Sequence, residues 1–279
     1  MDVALDEKLS ALTDRLDGLG SVLVAFSGGV DSAFLAAVAH QALGPDRARA
    51  VTAVSPSLAG AEERDCRALA EEWGLNWSSV ETHEMERAAY RLNDGDRCYH
   101  CKAELMHVVA PIATISDATV VLGVNVDDLA DHRPGQQAAV EAGAVFPLVD
   151  AGFTKREVRA ASQHLGLRTW DKPAGACLAS RVPYGTEVSV GILSRVERAE
   201  AALRDLGFRQ CRVRHYDDIA RIELELGDLP AAVERSAEIV EAVRAAGYRY
   251  VTLDLEGFRS GNLNDVLARP TGASHADVR

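Results

Sequence analysis

The sequence predicts an α/β protein, with an open, mostly parallel sheet carrying helices on both faces and a smaller α+β domain after it. Three observations predict this. Short apolar runs alternate with helical periodicities through the first half of the chain, the pattern of successive β-α-β units. A glycine pair stands directly between the first apolar run and the next helix. Beyond about residue 170 a Pro/Gly-rich stretch with no periodicity gives way to an α-β-β-α-β order.

Taken in order, Leu5, Leu9, Leu12, Leu16 and Leu19 recur at helical spacing ahead of Gly20. Residues 21–26 are short and apolar, as a strand buried on both faces should be. Residues 31–43 read as a helix closed by Gly44 and Pro45, and 48–54 as a second strand. A helix over 62–73 stops at Gly74, and 76–81 is a third strand. Residues 101–112 look helical, 119–124 form a fourth strand, and 136–142 a short helix. In the second half, a helix is expected over 189–206, strands over 208–215 and 219–226, a helix over 230–246 and a strand over 248–254. That order suits a small antiparallel sheet backed by helices. The expected domains are 1–170, a linker loop 171–187, 188–268, and a polar tail 269–279.

Charge narrows the function. The 279 residues carry 30 Lys+Arg against 42 Asp+Glu, a net of −12, which argues against a surface built to coat nucleic acid. An apolar fraction of 47% is too high for a disordered chain. No apolar run approaches the ~18–20 residues of a membrane span. The N-terminal segment alternates acids with leucines and has no basic n-region, so a signal peptide is not expected and a cytoplasmic protein is. The five cysteines are Cys66, Cys98, Cys101, Cys177 and Cys211, an odd number that does not suggest a disulfide framework. Cys66 and Cys211 are expected to be structural.

The strongest local signal is Ser27-Gly-Gly-Val-Asp-Ser32, between a strand and a helix. The glycines allow close backbone approach, the helix adds its positive end, and the serines add hydroxyl donors; the result is an anion cradle suited to pyrophosphate. Asp31 is placed to hold an accompanying Mg²⁺. Neither a Gly-Lys-Ser/Thr loop nor a G-x-G-x-x-G spacing is present. After the fourth strand, Gly123-Val-Asn-Val-Asp-Asp-Leu-Ala-Asp-His-Arg-Pro-Gly135 gathers Asp127, Asp128 and Asp131 where open sheets bind ligands. A third segment runs from Lys172 to Gly185 and contains Cys177. A cysteine in a Gly/Ala loop, with Lys172 and Arg181 near in sequence, suits a nucleophile or sulfur carrier. Arg212 and Arg214 alternate on a strand, so both guanidiniums share one face, able to clamp a phosphate; a solvated face paired with acids is the competing reading. Arg97-Cys-Tyr-His-Cys-Lys102 holds a lone CxxC, at best half of a zinc site.

Ser27–Ser32 after an apolar strand resembles the PP-loop of the ATP pyrophosphatase superfamily, whose fold is adenine nucleotide alpha hydrolase-like. The resemblance implies that Ser27, Gly28, Gly29, Asp31 and Ser32 grip the β,γ-phosphates of ATP. It also implies that Val54 and Ser55 face the adenine, with Gly123 and Asp128 completing the ATP site. With the Cys177 segment and Gly257–Asn264, roughly residues 5–267 resemble the LarE family, ATP-dependent sulfur transferases of nickel-pincer nucleotide biosynthesis. That resemblance implies adenylation of the carboxylates of a pyridinium-dicarboxylate mononucleotide, then attack by a protein sulfur. Cys177 matches the cysteine that gives up its own sulfur, and Arg212, Arg214 and Arg181 would meet the substrate phosphate. Glu200 and Glu223 are weaker metal candidates, each read first as a surface acid. Cys98, Cys101 and Cys177 also match a three-cysteine [4Fe–4S] site, so two donor chemistries stay open. The implied partner is a small-molecule nucleotide, and a homo-oligomer is expected. An ammonia-using amide ligase and a tRNA-thiolating enzyme are the rival enzymes, and an adenine-nucleotide sensor the rival binding protein.

Overall fold

The computed structural model describes residues 3–129, 134–173 and 175–259. The chain runs α1 (Val3–Gly18), β1 (Val22–Ala25), α2 (Val30–Arg47), β2 (Ala48–Val54), α3 (Gly60–Trp73), β3 (Asn76–Glu81) and α4 (Ala88–Leu92). Next come α5 (Arg97–Ile115), β4 (Thr119–Leu122), α6 (Pro134–Glu141), α7 (Pro147–Asp150) and α8 (Lys155–His164). It continues with α9 (Val190–Asp205), β5 (Cys211–Tyr216), β6 (Ile219–Leu224), α10 (Leu229–Glu234), α11 (Ser236–Ala245) and β7 (Tyr250–Leu253). Contacts divide it into two units. The first holds the chain up to Leu92 and Asp96–Leu178; the second holds Asn93–Gly95 and the chain from Ala179.

The first unit is built on a parallel sheet of order β3-β2-β1-β4. Two crossovers step from β1 out to β3, and β4 then returns to the other side of β1, so the order reverses between β1 and β4. Both faces are covered. Val22 and Val24 of β1 belong to a core with Leu12 and Leu16 of α1, Phe34 and Leu35 of α2, and Val158 of α8. Leu23, between them, points to the other face, into a core with Leu105, Met106 and Val109 of α5. Burial on both sides is why β1 and β4 read as short unbroken apolar runs, whereas β3, at the edge, is polar and largely exposed.

Element ends follow local chemistry. Gly74, at φ +64, caps α3 in the left-handed region and donates to Ala70 O. The helix expected to close at Gly44 is kinked there instead, at φ +73, and α2 resumes to Arg47. The helix expected from 101 starts at Arg97, which puts the CxxC on its first turn. Helix α8 lies where no element was expected. Its start is fixed by a capping box, with Thr154 Oγ1 accepting from the Glu157 N–H and the Glu157 carboxylate accepting from the Thr154 N–H.

In the second unit β5 and β6 are antiparallel, with Arg212 opposite Glu223, and β6 and β7 are parallel, with Ala220 opposite Val251. The sheet is therefore mixed, which corrects the antiparallel expectation. Helices α10 and α11 carry the chain back along the sheet, so β7 enters in the same direction as β6. The single helix expected over 230–246 breaks at Arg235 (φ −98°, ψ 22°), whose guanidinium donates to Leu206 O at 2.7 Å and to Glu238. Ala199 and Leu203 of α9 pack with Val213, Ile222, Leu224, Ile239 and Val243 to form this unit's core. Asn93, at φ +58, donates from its side-chain amide to the carbonyls of Val182, Pro183 and Thr186, which explains why it groups here. Among the described residues no helix is long and apolar enough to cross a membrane.

Candidate active site

Reversal of strand order between β1 and β4 opens a crevice at their carboxyl ends, the place where open α/β sheets bind ligands. Ser27–Ser32 crosses this edge from β1 into α2. Gly28 sits at φ +67, and a Cβ there would stand 2.8 Å from Cys66 Sγ, so only glycine fits. Ser32 Oγ accepts from the Ser27 N–H and donates to Gly29 O, both at 3.2 Å, and lies 3.0 Å from Ser27 Oγ. Gly29 caps α2 without a side-chain bond, so the first-turn N–H groups point out of the helix end.

The loop after β4 closes on the same edge. A Cβ on Gly123 would meet Ser32 N at 2.7 Å; glycine is needed here to let the loop rest on the start of α2. Asn125 Nδ2 donates to Asp31 Oδ1 at 3.2 Å, and Lys155 Nζ forms an ion pair with Asp31 Oδ2. Asp128 accepts from the Asn125 N–H at 3.2 Å, and Asp127 from the Lys155 N–H at 2.8 Å, so these two acids shape the loop and start α8. Asp131 lies outside the described residues.

The carboxyl end of β2 brings the thiol to this edge. Val54 O accepts from the Thr82 N–H at 3.0 Å. Ser55 Oγ donates to Glu84 Oε1 and accepts from the Ser57 N–H at 3.2 Å. Ser57 Oγ lies 2.5 Å from the Tyr90 hydroxyl, and Ser57 O accepts from the Leu178 N–H at 2.8 Å. The residue after Cys177 is thus stitched to the turn that follows β2. Cys177 itself is exposed, as is Cys98, and Cys101 is half-buried. The Cys101 thiol is pushed up to about 12, by burial first and then by Cys177, with Glu84 and Cys98 adding to it. Burial and then Cys177 also push the Tyr90 phenol up. The three thiols therefore share one neighbourhood. Among the described residues, however, no three His, Cys, Asp or Glu side chains group closely enough to hold a metal ion.

Sequence reasoning missed Lys155, Asn125, Glu84 and Tyr90. Thr154-x-x-Glu157 is a capping-box signature that marks the start of α8 and so points to Lys155. Asn125 stands inside the quoted loop. No sequence signal marks Glu84, which is 2% exposed and has an unpartnered Oε2.

In the second unit, Arg212 and Arg214 lie on one face of β5 and both are buried. Arg214 reaches Glu223 through Nε and Nη2, each at 2.9 Å, and Ser180 O through Nη1 at 2.7 Å. Arg212 donates to Cys211 O and lies 5.1 Å over the Phe258 ring. Its guanidinium is pulled down to about 10, by burial first and then by Arg181. Arg181 grips Glu200 with Nε at 2.7 Å and Nη2 at 3.0 Å. Glu200 and Glu223 are 1% and 0% exposed. This corrects their reading as surface acids: each is the buried counter-ion of an arginine, held there because a buried guanidinium needs a carboxylate.

A Ser-Gly-Gly-Val-Asp-Ser cradle at the reversal point, closed by a glycine-bearing loop from the neighbouring strand, is the arrangement of the PP-loop fold. A family model described as NAD synthase matches residues 8–104. The chain is 39% identical over 276 residues to the pyridinium-3,5-bisthiocarboxylic acid mononucleotide synthase of Lactiplantibacillus plantarum, covering 98% of this chain and 99% of that protein. It is 47% identical over 268 residues to the uncharacterized protein slr1717 of Synechocystis, covering 95% and 100% of the two chains. The chain belongs to the LarE family of ATP-dependent sulfur transferases within the PP-loop ATP pyrophosphatase superfamily.

Proposed function

We propose that the protein adenylates the carboxylates of a pyridinium-dicarboxylate mononucleotide and converts them to thiocarboxylates with sulfur from Cys177. The observation that carries this is the Leu178–Ser57 hydrogen bond, which holds the cysteine's neighbour at the edge where the Ser27–Ser32 loop also stands. The name of the 39% identical relative supports the substrate class.

In this reading a substrate carboxylate oxygen attacks the α-phosphorus of ATP and pyrophosphate leaves. The carboxylate, a poor acyl donor, becomes an acyl-adenylate, a good one. The Cys177 sulfur displaces AMP to form a thioester. Loss of the Cys177 Cα proton then breaks Cβ–S, leaving the thiocarboxylate on the substrate and dehydroalanine in the chain. Ser27, Gly28, Gly29 and Ser32 hold the β,γ-phosphates, Val54 and Ser55 face the adenine, and Gly123 and Asp128 shape the opposite wall. The half-buried Asp31 carboxylate already pairs with a cation, so its donor chemistry fits Mg²⁺. When bound, that ion supplies charge neutralisation at the leaving pyrophosphate. Arg212, whose burial leaves its charge poorly solvated, takes the substrate phosphate with Arg214 and Arg181.

Cys177→Ser tests the reading: it should still release pyrophosphate on adding substrate, yet transfer no sulfur. Wild-type protein should lose about 34 Da, one H₂S, per sulfur delivered. Full sulfur transfer by Cys177→Ser would sink the proposal. A second donor chemistry, a [4Fe–4S] cluster on Cys98, Cys101 and Cys177, is favoured by the influence of Cys177 and Cys98 on the Cys101 thiol. It predicts about four irons per anaerobic chain and no mass loss.

A further inference from the structure

Lys172 opens the segment that leads to Cys177, and its ammonium is aimed at the ATP cradle. Nζ donates to Gly28 O at 3.2 Å, Glu62 Oε2 at 2.7 Å and Asp65 Oδ2 at 2.7 Å. An ammonium has three donors, and all three are engaged. The anchorage is itself anchored. Arg168 holds Asp65 and Glu72, each at 2.8 Å, while Arg159 Nη2 donates to Lys172 O at 3.0 Å. Burial alone would lower the Lys172 pKa; the hydrogen bonds and charges of Asp65 and Glu62 outweigh it and hold the group above its ordinary value.

The target of this ammonium is the peptide between two glycines. Gly28 stands at φ +67 and Gly29 at φ −76°, ψ 165°. With no Cβ on either side, sterics do little to prevent that peptide from turning over. In a trans peptide the carbonyl and the N–H point opposite ways. Holding Gly28 O on Lys172 therefore turns the Gly29 N–H away from Lys172.

We infer that Lys172 is a positioning residue that locks the Gly28–Gly29 peptide in its phosphate-accepting orientation. The same contact ties the start of the Cys177 segment to the nucleotide loop, as the Leu178–Ser57 bond ties its end to the turn after β2. The inference rests on the ATP site proposed above. It deepens that site by assigning one backbone N–H and the side chain that aims it.

The test separates phosphate recognition from folding and from adenine binding. A non-hydrolysable ATP analogue and adenosine are each titrated calorimetrically, with Mg²⁺, into wild-type protein and Lys172→Met. Because the substitution strands Glu62 and Asp65, a second variant adds Glu62→Gln and Asp65→Asn, removing the uncompensated charge. Both variants should bind the triphosphate about 10- to 100-fold more weakly, the loss of one hydrogen bond to a charged group. Adenosine affinity should stay within twofold. Unchanged triphosphate affinity in the second variant overturns the inference, as does an equal loss for adenosine, which would mark a merely structural role. Wild-type protein that binds neither ligand would speak instead against the proposed function.

Discussion

Two ion pairs in this protein, each joining one carboxylate to one cationic side chain, serve opposite ends. In the first unit, Asp31 and Lys155 meet beside the Ser27–Ser32 loop with side chains 18% and 37% exposed. In the second, Arg214 and Glu223 meet with side chains 6% and 0% exposed. A pair open to water is worth roughly 0–1 kcal/mol, so either partner can be exchanged for a ligand's charge at little cost. A buried pair has already lost its hydration, and neither partner can leave without stranding the other. The lesson is that the first pair is placed to be replaced, and the second to hold a shape. Glu223 receives both Arg214 and Arg221, and thereby fixes the orientation of the Arg214 guanidinium.

The sharpest way to break this contrast is Glu223→Gln. It leaves Arg214 buried beside a neutral amide and should cost about 3–5 kcal/mol of stability, read as a lower urea midpoint. Arg214→Leu combined with Glu223→Leu should recover most of that loss, because no buried charge is then left alone. A neutral Glu223→Gln would mean the site is wetter than its burial indicates.

Asp31→Ala probes the other side. Pyrophosphate release should fall about 10²–10³-fold, the usual scale for a lost charge-stabilising group. Stability should move by no more than about 1 kcal/mol, since Lys155 can turn to water. Undiminished pyrophosphate formation would remove Asp31 from the nucleotide site.

The same difference explains what the sequence showed and what it hid. The Ser27–Ser32 loop is one contiguous stretch between a strand and a helix, so its place in the fold is legible from spacing alone. Its partners are not contiguous: Lys155 lies 124 positions from Asp31 and Lys172 lies 144 from Gly28, distances no local pattern spans. Gly123 was placed correctly on the edge, but its tightest constraint is Ser32 of its own chain. Alternation put Arg212 and Arg214 on one face. It does not say what covers that face, because β5 is buried almost throughout and its pairing register with β6 is a tertiary fact. That is why Glu200 and Glu223 read as surface acids. The break at Arg235 was likewise invisible, with no Gly or Pro to mark it.

A second half-exposed pair calibrates the comparison from the weak end. Glu157 accepts from Lys8 Nζ at 2.7 Å and from the Thr154 N–H at 2.9 Å, and the two side chains are 25% and 29% exposed. Lys8 first, then the Thr154 backbone, hold its carboxyl down at about 2, against 4.5 for a free glutamate. Between those values the unfolded chain binds the proton and the folded chain does not, so stability rises with pH across this window. The contribution is complete above about pH 4.5 and gone as pH falls through 2. Partial exposure screens the interaction, so it should be worth no more than about 1 kcal/mol, or roughly 2–4 °C in Tm. Glu157→Gln keeps a capping side chain and removes only the charge. Its Tm should lie below that of the wild type at pH 6, and the gap should close as pH approaches 2. A gap that stays constant down to pH 2 would place the effect in the packing of α8 rather than in the carboxylate.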